Sequence, residues 1–184
     1  MEWTGARYAD TPTVEARRRI AAPPDRVWEL VGDVGLMPRF SAELQSAEWL
    51  GEERGVGACF LGRSRHEAFG AWETTSYVVE CEPGRVFAWA VGDPERPSAV
   101  WRFSLTATED GGTELTQWAR MGPGRSGLSY AIDRMPEKEQ KIVYGRLREW
   151  ERGMNATLDG LKALAEAGAG SGSGSGEGAE GAGA

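Results

Sequence analysis

The chain has 184 residues, of which 26 are glycine and 8 are tryptophan, and its net charge is −7. This length predicts one core, and the negative charge argues against binding to nucleic acid or to acidic membrane surfaces. Two cysteines are too few for a disulfide framework, and a single histidine argues against a metal site built on several histidines. We therefore expect a cytoplasmic protein without membrane insertion, nucleic-acid partner, metal or other cofactor.

The two ends of the chain differ in composition from its body. Residues 168–184 contain only Gly, Ala, Ser and Glu, so they are predicted to form a disordered tail. Residues 1–13 are predicted to form an N-terminal extension, in which Trp3 and Tyr8 could pack against the body. Residues 14–167, which hold seven of the eight tryptophans, are left as a single ligand-binding domain.

The body begins with a strand and then turns helical. Residues 14–21 alternate apolar and polar side chains, which predicts the first strand, and Pro23-Pro24-Asp25 begins a short helix. A second short helical segment holds Leu36, Met37 and Phe40. Six more strands are predicted from their period of two, at residues 44–51, 57–65, 69–82, 85–92, 98–108 and 113–121. The short turns between them favour antiparallel neighbours.

A helical stretch at residues 128–135 ends at Pro136, and residues 137–166 then predict one long helix. Its apolar residues recur every three or four positions, at Val143, Leu147, Trp150, Met154, Leu158, Leu161 and Ala165. Gly168 is expected to cap it. Gly145 and Gly153 lie inside it, where they could allow either a ligand or a large side chain such as Trp28 to approach the backbone. The predicted class is α+β, with a seven-stranded curved antiparallel sheet wrapped on the long C-terminal helix.

A single helix, about 10–12 Å across, is too narrow to cover the inner face of such a sheet. Strand parity places bulky rings and small polar groups on that face, a composition typical of a ligand pocket. The alternative is that the aromatic side chains interlock and fill the space. The predicted ligand-binding residues are Phe60, Ser64, Trp72, Thr74, Ser76, Phe87, Trp89, Trp101, Phe103, Gln117, Tyr130 and Met154.

Four stretches of the sequence carry a family resemblance, over about residues 12–166. They are APPDRVWELVGDV at 22–34, GACFLGRSRHEAFGAWETTSYVVECEPGRVFAWAVGD at 57–93, WRFSL at 101–105 and GGTELT at 111–116. Together they resemble the START-like superfamily, also called SRPBCC, and within it a bacterial group of the polyketide cyclase/dehydrase and lipid-transport branch. GRSRH has Ser64 where asparagine is commoner in that group. The resemblance implies the helix-grip fold and an interior cavity for a small apolar or amphipathic ligand.

Three functions remain open. The first is a binding module that holds a lipid-like, aromatic or polyketide-like ligand for transport, sensing or sequestration. The second is a polyketide aromatase/cyclase or dehydratase, which needs a proton-moving group beside a carbonyl; its candidates are Arg18, Tyr130, Asp133 and His66. The third is an interaction protein with a vestigial cavity, whose outer face near Tyr77 and Trp118 would form a homodimer.

Overall fold

The structure, a computed structural model, describes residues 1–169. Its seven strands form one antiparallel sheet in the order β1-β7-β6-β5-β4-β3-β2. The strands are β1 (Thr13–Ile20), β2 (Leu44–Trp49), β3 (Cys59–His66), β4 (Gly70–Glu82), β5 (Val86–Val91), β6 (Ala99–Ala107) and β7 (Thr113–Met121). The predicted fold class is confirmed, and the predicted strands agree with the observed ones to within two residues at each end.

The helices also follow the predicted order. They are α1 (Pro24–Val31), α2 (Gly127–Arg134) and α3 (Glu139–Ala169), with short 3₁₀-helices at Tyr8–Asp10, Val34–Phe40 and Pro136–Lys138. α1 begins at proline with Asp25 in its first turn, as the sequence indicates. α3 continues through Gly168, so the expectation that this glycine caps the helix is wrong. The rest of the predicted tail, residues 170–184, lies outside the described residues.

Strand register confirms which side chains share the inner face of the sheet. Trp89 pairs with both Val78 and Trp101, and Phe103 pairs with Gln117. Directly paired residues in an antiparallel sheet point to the same side. The predicted inner face of β4 is therefore correct along this strand up to the irregularity between Val78 and Glu80.

The end of α3 docks on β1. Lys162 Nζ donates a hydrogen bond to the Arg19 carbonyl (2.9 Å), and the Ala21 N–H donates to Glu166 Oε1 (2.8 Å). The Arg18 guanidinium binds the Asp159 carboxylate at 2.6 Å. The apolar stripe of α3 faces the sheet as predicted, and only its Trp150 is incompletely buried. The helix is therefore held at the β1 edge and extends across the inner face from there.

The close approach to a helix glycine occurs at a position that the pattern does not indicate. A Cβ at Gly160 would overlap the Phe40 ring, which packs against the helix backbone there. A Cβ at Gly145 or Gly153 would have no neighbour within 4 Å. Of the two alternatives for those glycines, the packing of a large side chain against the backbone is therefore wrong.

The N-terminal extension packs on the body. The Tyr8 hydroxyl donates to the Gly124 carbonyl at 2.5 Å, and the Tyr8 N–H donates to Glu139 Oε1 at 3.0 Å. Trp3 meets the Tyr144 ring edge-on, with centroids 5.1 Å apart. Residues 1–10 thereby connect the loop after β7 to the outer side of α3. Within residues 1–169, none of the helices is both long and apolar enough to span a membrane.

Candidate ligand cavity

A cavity of about 1160 Å³ lies between the inner face of the sheet and the middle of α3. α3 contributes eight residues between positions 146 and 157 to its wall, and the 3₁₀-helix before β2 contributes Met37 and Phe40. Pockets for small molecules commonly enclose about 300–1,000 Å³. The alternative in which interlocked rings fill the space is therefore not what the structure shows.

Aromatic rings form one continuous wall of this cavity. The Trp89 and Trp101 rings are stacked with a 12° interplanar angle and centroids 6.5 Å apart. The ring centroids of Trp101 and Trp150 of α3 are 4.8 Å apart. The centroid of Trp89 lies 5.9 Å from that of Phe60 and 6.0 Å from that of Phe103. This wall presents flat apolar surfaces, which suit a ligand that itself carries planar or hydrocarbon groups.

Polar groups interrupt the apolar wall. Ser76 on β4, Gln117 on β7 and Thr157 on α3 are all buried, and all three line the cavity. Ser64 and Thr74 line it from β3 and β4 with more exposure. A mainly apolar space with a few fixed polar groups can orient an amphipathic molecule.

The structure brings together eleven of the twelve predicted site residues. Those that line the cavity are Phe60, Ser64, Trp72, Thr74, Ser76, Phe87, Trp89, Trp101, Phe103, Gln117 and Met154. Tyr130 does not, because it lies on the outer side of α2 with 62% of its surface exposed. The Arg125 guanidinium sits over its ring at 5.2 Å. We therefore leave Tyr130 out of the candidate site.

The four residues that the sequence suggests for catalysis also differ in whether they line the cavity. Arg18 shares the inner-face parity but is engaged by Asp159 at the β1 edge, outside the cavity. Asp133 is exposed and pairs with Arg125. His66 does line the cavity, with its Nε2 3.6 Å from Glu149 Oε2. Of the four candidates, only His66 is placed where it could reach a bound molecule.

A network of charged side chains borders the opening near His66. Arg146 of α3 binds both carboxylate oxygens of Glu43 at 2.6 and 2.7 Å, and it reaches Glu149 at 3.1 Å. Burial acts to lower the pKa of Arg146, but its hydrogen bonds with Glu43 and Glu149 and their charges raise it overall. The Arg146 guanidinium also lies 5.8 Å above both the Phe69 and the Trp150 rings. This network ties the segment before β2 to α3 at the rim.

On the α3 side of the cavity, Met154 is the one residue that the sequence predicts as a site residue. Arg146, Glu149, Gly153 and Thr157 follow one another at spacings of three and four residues, so they form a row beside the apolar stripe. That periodicity is visible in the sequence, but a polar row on a helix usually faces solvent. Within the part of the chain that the structure describes, no three His, Cys, Asp or Glu side chains cluster as metal ligands would.

Comparison with known proteins agrees with this architecture. No curated protein matches the chain. Among solved structures, a Polyketide_cyc-like protein from Corynebacterium glutamicum is 29% identical, covers 89% of this chain and 96% of its own, and has a TM-score of 0.63. The Zhui aromatase/cyclase from a Streptomyces species is 19% identical over 85% of this chain and 97% of its own, with a TM-score of 0.64.

A third similar structure is the di-domain ARO/CYC protein of the steffimycin biosynthetic pathway. It is 17% identical over 86% of this chain and 51% of its own, with a TM-score of 0.66. At this identity, as for the Streptomyces protein, the likeness shows the shared helix-grip fold. The family model described as polyketide cyclase / dehydrase and lipid transport matches residues 11–166. Since that match spans most of the sequence, the chain belongs to the polyketide cyclase/dehydrase and lipid-transport family of the START-like superfamily.

Proposed function

We propose that the protein binds a small apolar or amphipathic ligand, lipid-like, aromatic or polyketide-like, for transport, sensing or sequestration. The observation that carries the proposal is the open space in front of the rings of Phe60, Trp89, Trp101 and Trp150. Exposed aromatic surface inside a fold is unfavourable in water, at about 25 cal/mol per Å², and a ligand that covers it recovers that free energy. Membership of the polyketide cyclase/dehydrase and lipid-transport family supports the same proposal.

Native mass spectrometry of the protein purified from its own cells tests this proposal. The expected result is a co-purifying molecule of defined mass that is absent from a Trp101→Ala variant prepared in the same way. Trp3→Ala is the matched control, because Trp3 is 51% exposed and lies outside the cavity. A ligand-free wild type that also shows no saturable binding of 2-methylnaphthalene by calorimetry would contradict the proposal.

A second candidate function is catalysis of the aromatase/cyclase or dehydratase type. The observation that favours it is the contact of His66 with Glu149 at the rim, because a carboxylate beside an imidazole can orient it for proton transfer. In such a reaction His66 would take a proton from the carbon next to a ligand carbonyl through Nδ1, which accepts the Ala68 N–H at 3.1 Å in the free protein and would have to exchange that contact for the ligand.

Deuterium exchange at the α-carbon of 1-phenylbutane-1,3-dione, followed by NMR in heavy water, separates the two functions. An enzyme would accelerate the exchange over buffer, and His66→Gln would remove the acceleration while the protein still bound the diketone. A pure binding protein would hold the diketone and leave its exchange rate at or below the buffer value.

A further inference from the structure

Gln117 belongs to the cavity wall, and its buried side-chain oxygen has no hydrogen-bond partner among the described residues. It is only 6% exposed, and its Oε1 is shielded from solvent without a hydrogen-bond partner in the described residues. Its register neighbours, Ala16 on β1 and Phe103 on β6, carry no polar side-chain atoms. The amide therefore receives nothing from the strands on either side.

An amide in that state destabilises the free protein. Buried polar groups in folded proteins are almost always hydrogen-bonded, because an unmade bond leaves the cost of desolvation uncompensated. An apolar side chain of similar size at this position on β7 would fill the same space without that cost. A glutamine here is explained if its partner arrives with the ligand.

We infer that Gln117 is a specificity-determining residue, which selects ligands that bring a hydroxyl group to this part of the cavity. This inference rests on the proposed binding function. Rotation about the Cγ–Cδ bond exchanges the amide oxygen and nitrogen, so the side chain can offer either an acceptor or a donor. A hydroxyl group both donates and accepts, and it therefore satisfies the amide in either orientation.

The other buried polar residues of the cavity wall, on β4 and α3, are also uncharged and agree with this ligand chemistry. Ser76 and Thr157 are the other two buried polar residues that line the cavity, and both carry hydroxyl groups. Their side chains are neutral, and neither would repay the burial of a charged ligand group. The aromatic wall with Trp89 and Trp101 leaves the remainder of the ligand apolar. The favoured class is a hydrophobic molecule with a neutral hydroxyl on its buried end.

Two probes of nearly the same shape test this selection. 2-Naphthol and 2-methylnaphthalene differ in one hydroxyl or methyl group, and their dissociation constants are measured by calorimetry with wild type and with Gln117→Met. Methionine has a similar length and removes the amide. We expect the ratio of the dissociation constants for 2-naphthol and 2-methylnaphthalene to rise by about fivefold in the variant, which is the usual size of one hydrogen bond between neutral groups. Gln117→Leu repeats the measurement with a branched side chain.

The free variants provide a second readout. If the amide lacks a partner within the fold, Gln117→Met and Gln117→Leu will melt at or above the wild-type Tm. Gln45→Leu is the control, since Gln45 is exposed and lies outside the cavity wall, so it should change neither the ratio nor the Tm.

Each contrary result has a distinct meaning. An unchanged ratio with both probes bound would overturn the role of Gln117 and leave the binding function standing. A clear loss of Tm in both free variants would also overturn it, because it would show that the amide is already satisfied. Failure of wild type to bind either probe would overturn the binding function itself and the inference with it.

Discussion

The last turns of α3 pack tightly against the sheet, whereas the middle of the same helix borders a cavity. Near the C-terminal end, Leu158, Leu161 and Ala165 are completely buried, as are Ile20 on β1 and Leu115 on β7. In the middle, residues 146–157 border the cavity. We call these two regions the closed end and the open middle of α3.

The apolar stripe runs through both regions without a break, so the helix alone does not explain the difference. α3 lies directly against β1, and its closed end is held there by side chain–backbone hydrogen bonds at Arg19 and Ala21. Opposite the open middle, the inner face of β3 and β4 carries the small residues Gly62, Ser64 and Ser76. The cavity lies where α3, which packs on β1, does not reach the inner face of β3 and β4.

The largest effect is expected in the closed end. Leu158→Ala should lower the free energy of unfolding by about 2–5 kcal/mol, because it leaves a void among fully packed side chains. Urea denaturation measures this, and the affinity for 2-methylnaphthalene should stay within about twofold. A loss below about 1 kcal/mol would show that the closed end is not tightly packed.

Two glycines of α3 sharpen the comparison, because the same Gly→Ala substitution should change the free energy of unfolding in opposite directions at the two positions. Gly160→Ala forces the Phe40 ring away from the helix and should cost about 1–3 kcal/mol. Gly153→Ala meets nothing within 4 Å and should stabilise the protein by up to about 1 kcal/mol through helix propensity. Thermal unfolding of the two variants side by side checks the sign. Equal effects would contradict the close approach of Phe40 at Gly160.

Trp101→Ala should separate stability from binding in the open middle. A fully interlocked tryptophan costs about 3–5 kcal/mol when truncated. Because Trp101 is only partly buried and borders open space, we expect a loss of about 1–2 kcal/mol together with at least tenfold weaker binding of 2-methylnaphthalene. A loss in the full range with unchanged affinity would assign Trp101 to the core and contradict the cavity interpretation.

The smallest effect is a pH dependence of the closed end. The hydrogen bond from the Ala21 N–H and then the Lys162 ammonium lower the pKa of Glu166. A carboxylate whose pKa is lower in the folded state stabilises the fold above its unfolded pKa of about 4.3, and this contribution disappears as the pH falls through the folded value. The Tm difference between wild type and Glu166→Gln should therefore be greatest at a pH well above about 4.3 and should shrink as the pH falls below that value. Glu52→Gln, at an exposed site, is the control variant measured over the same pH range.

Much of the site follows from local patterns. A period of two assigns Trp89, Trp101 and Phe103 to one face, and the register confirms it. The same argument fails on α2, because helix periodicity alone does not tell which side of a short helix meets the body. For this reason the prediction that Tyr130 belongs to the site is wrong, and the structure shows its side chain exposed. The homodimer expected through Tyr77 and Trp118 stays a prediction, which size-exclusion chromatography with light scattering can test.

The sequence by itself determined the order of elements, the antiparallel sheet, the apolar stripe of α3 and the face on which the aromatic side chains gather. These properties depend on short-range periodicity and turn chemistry. Only the tertiary structure decided that His66 meets Glu149, that Phe40 packs on Gly160 rather than on Gly153, and that Gln117 lacks a partner. Each of these depends on sheet curvature and on the docking of α3, which bring together residues far apart in the chain.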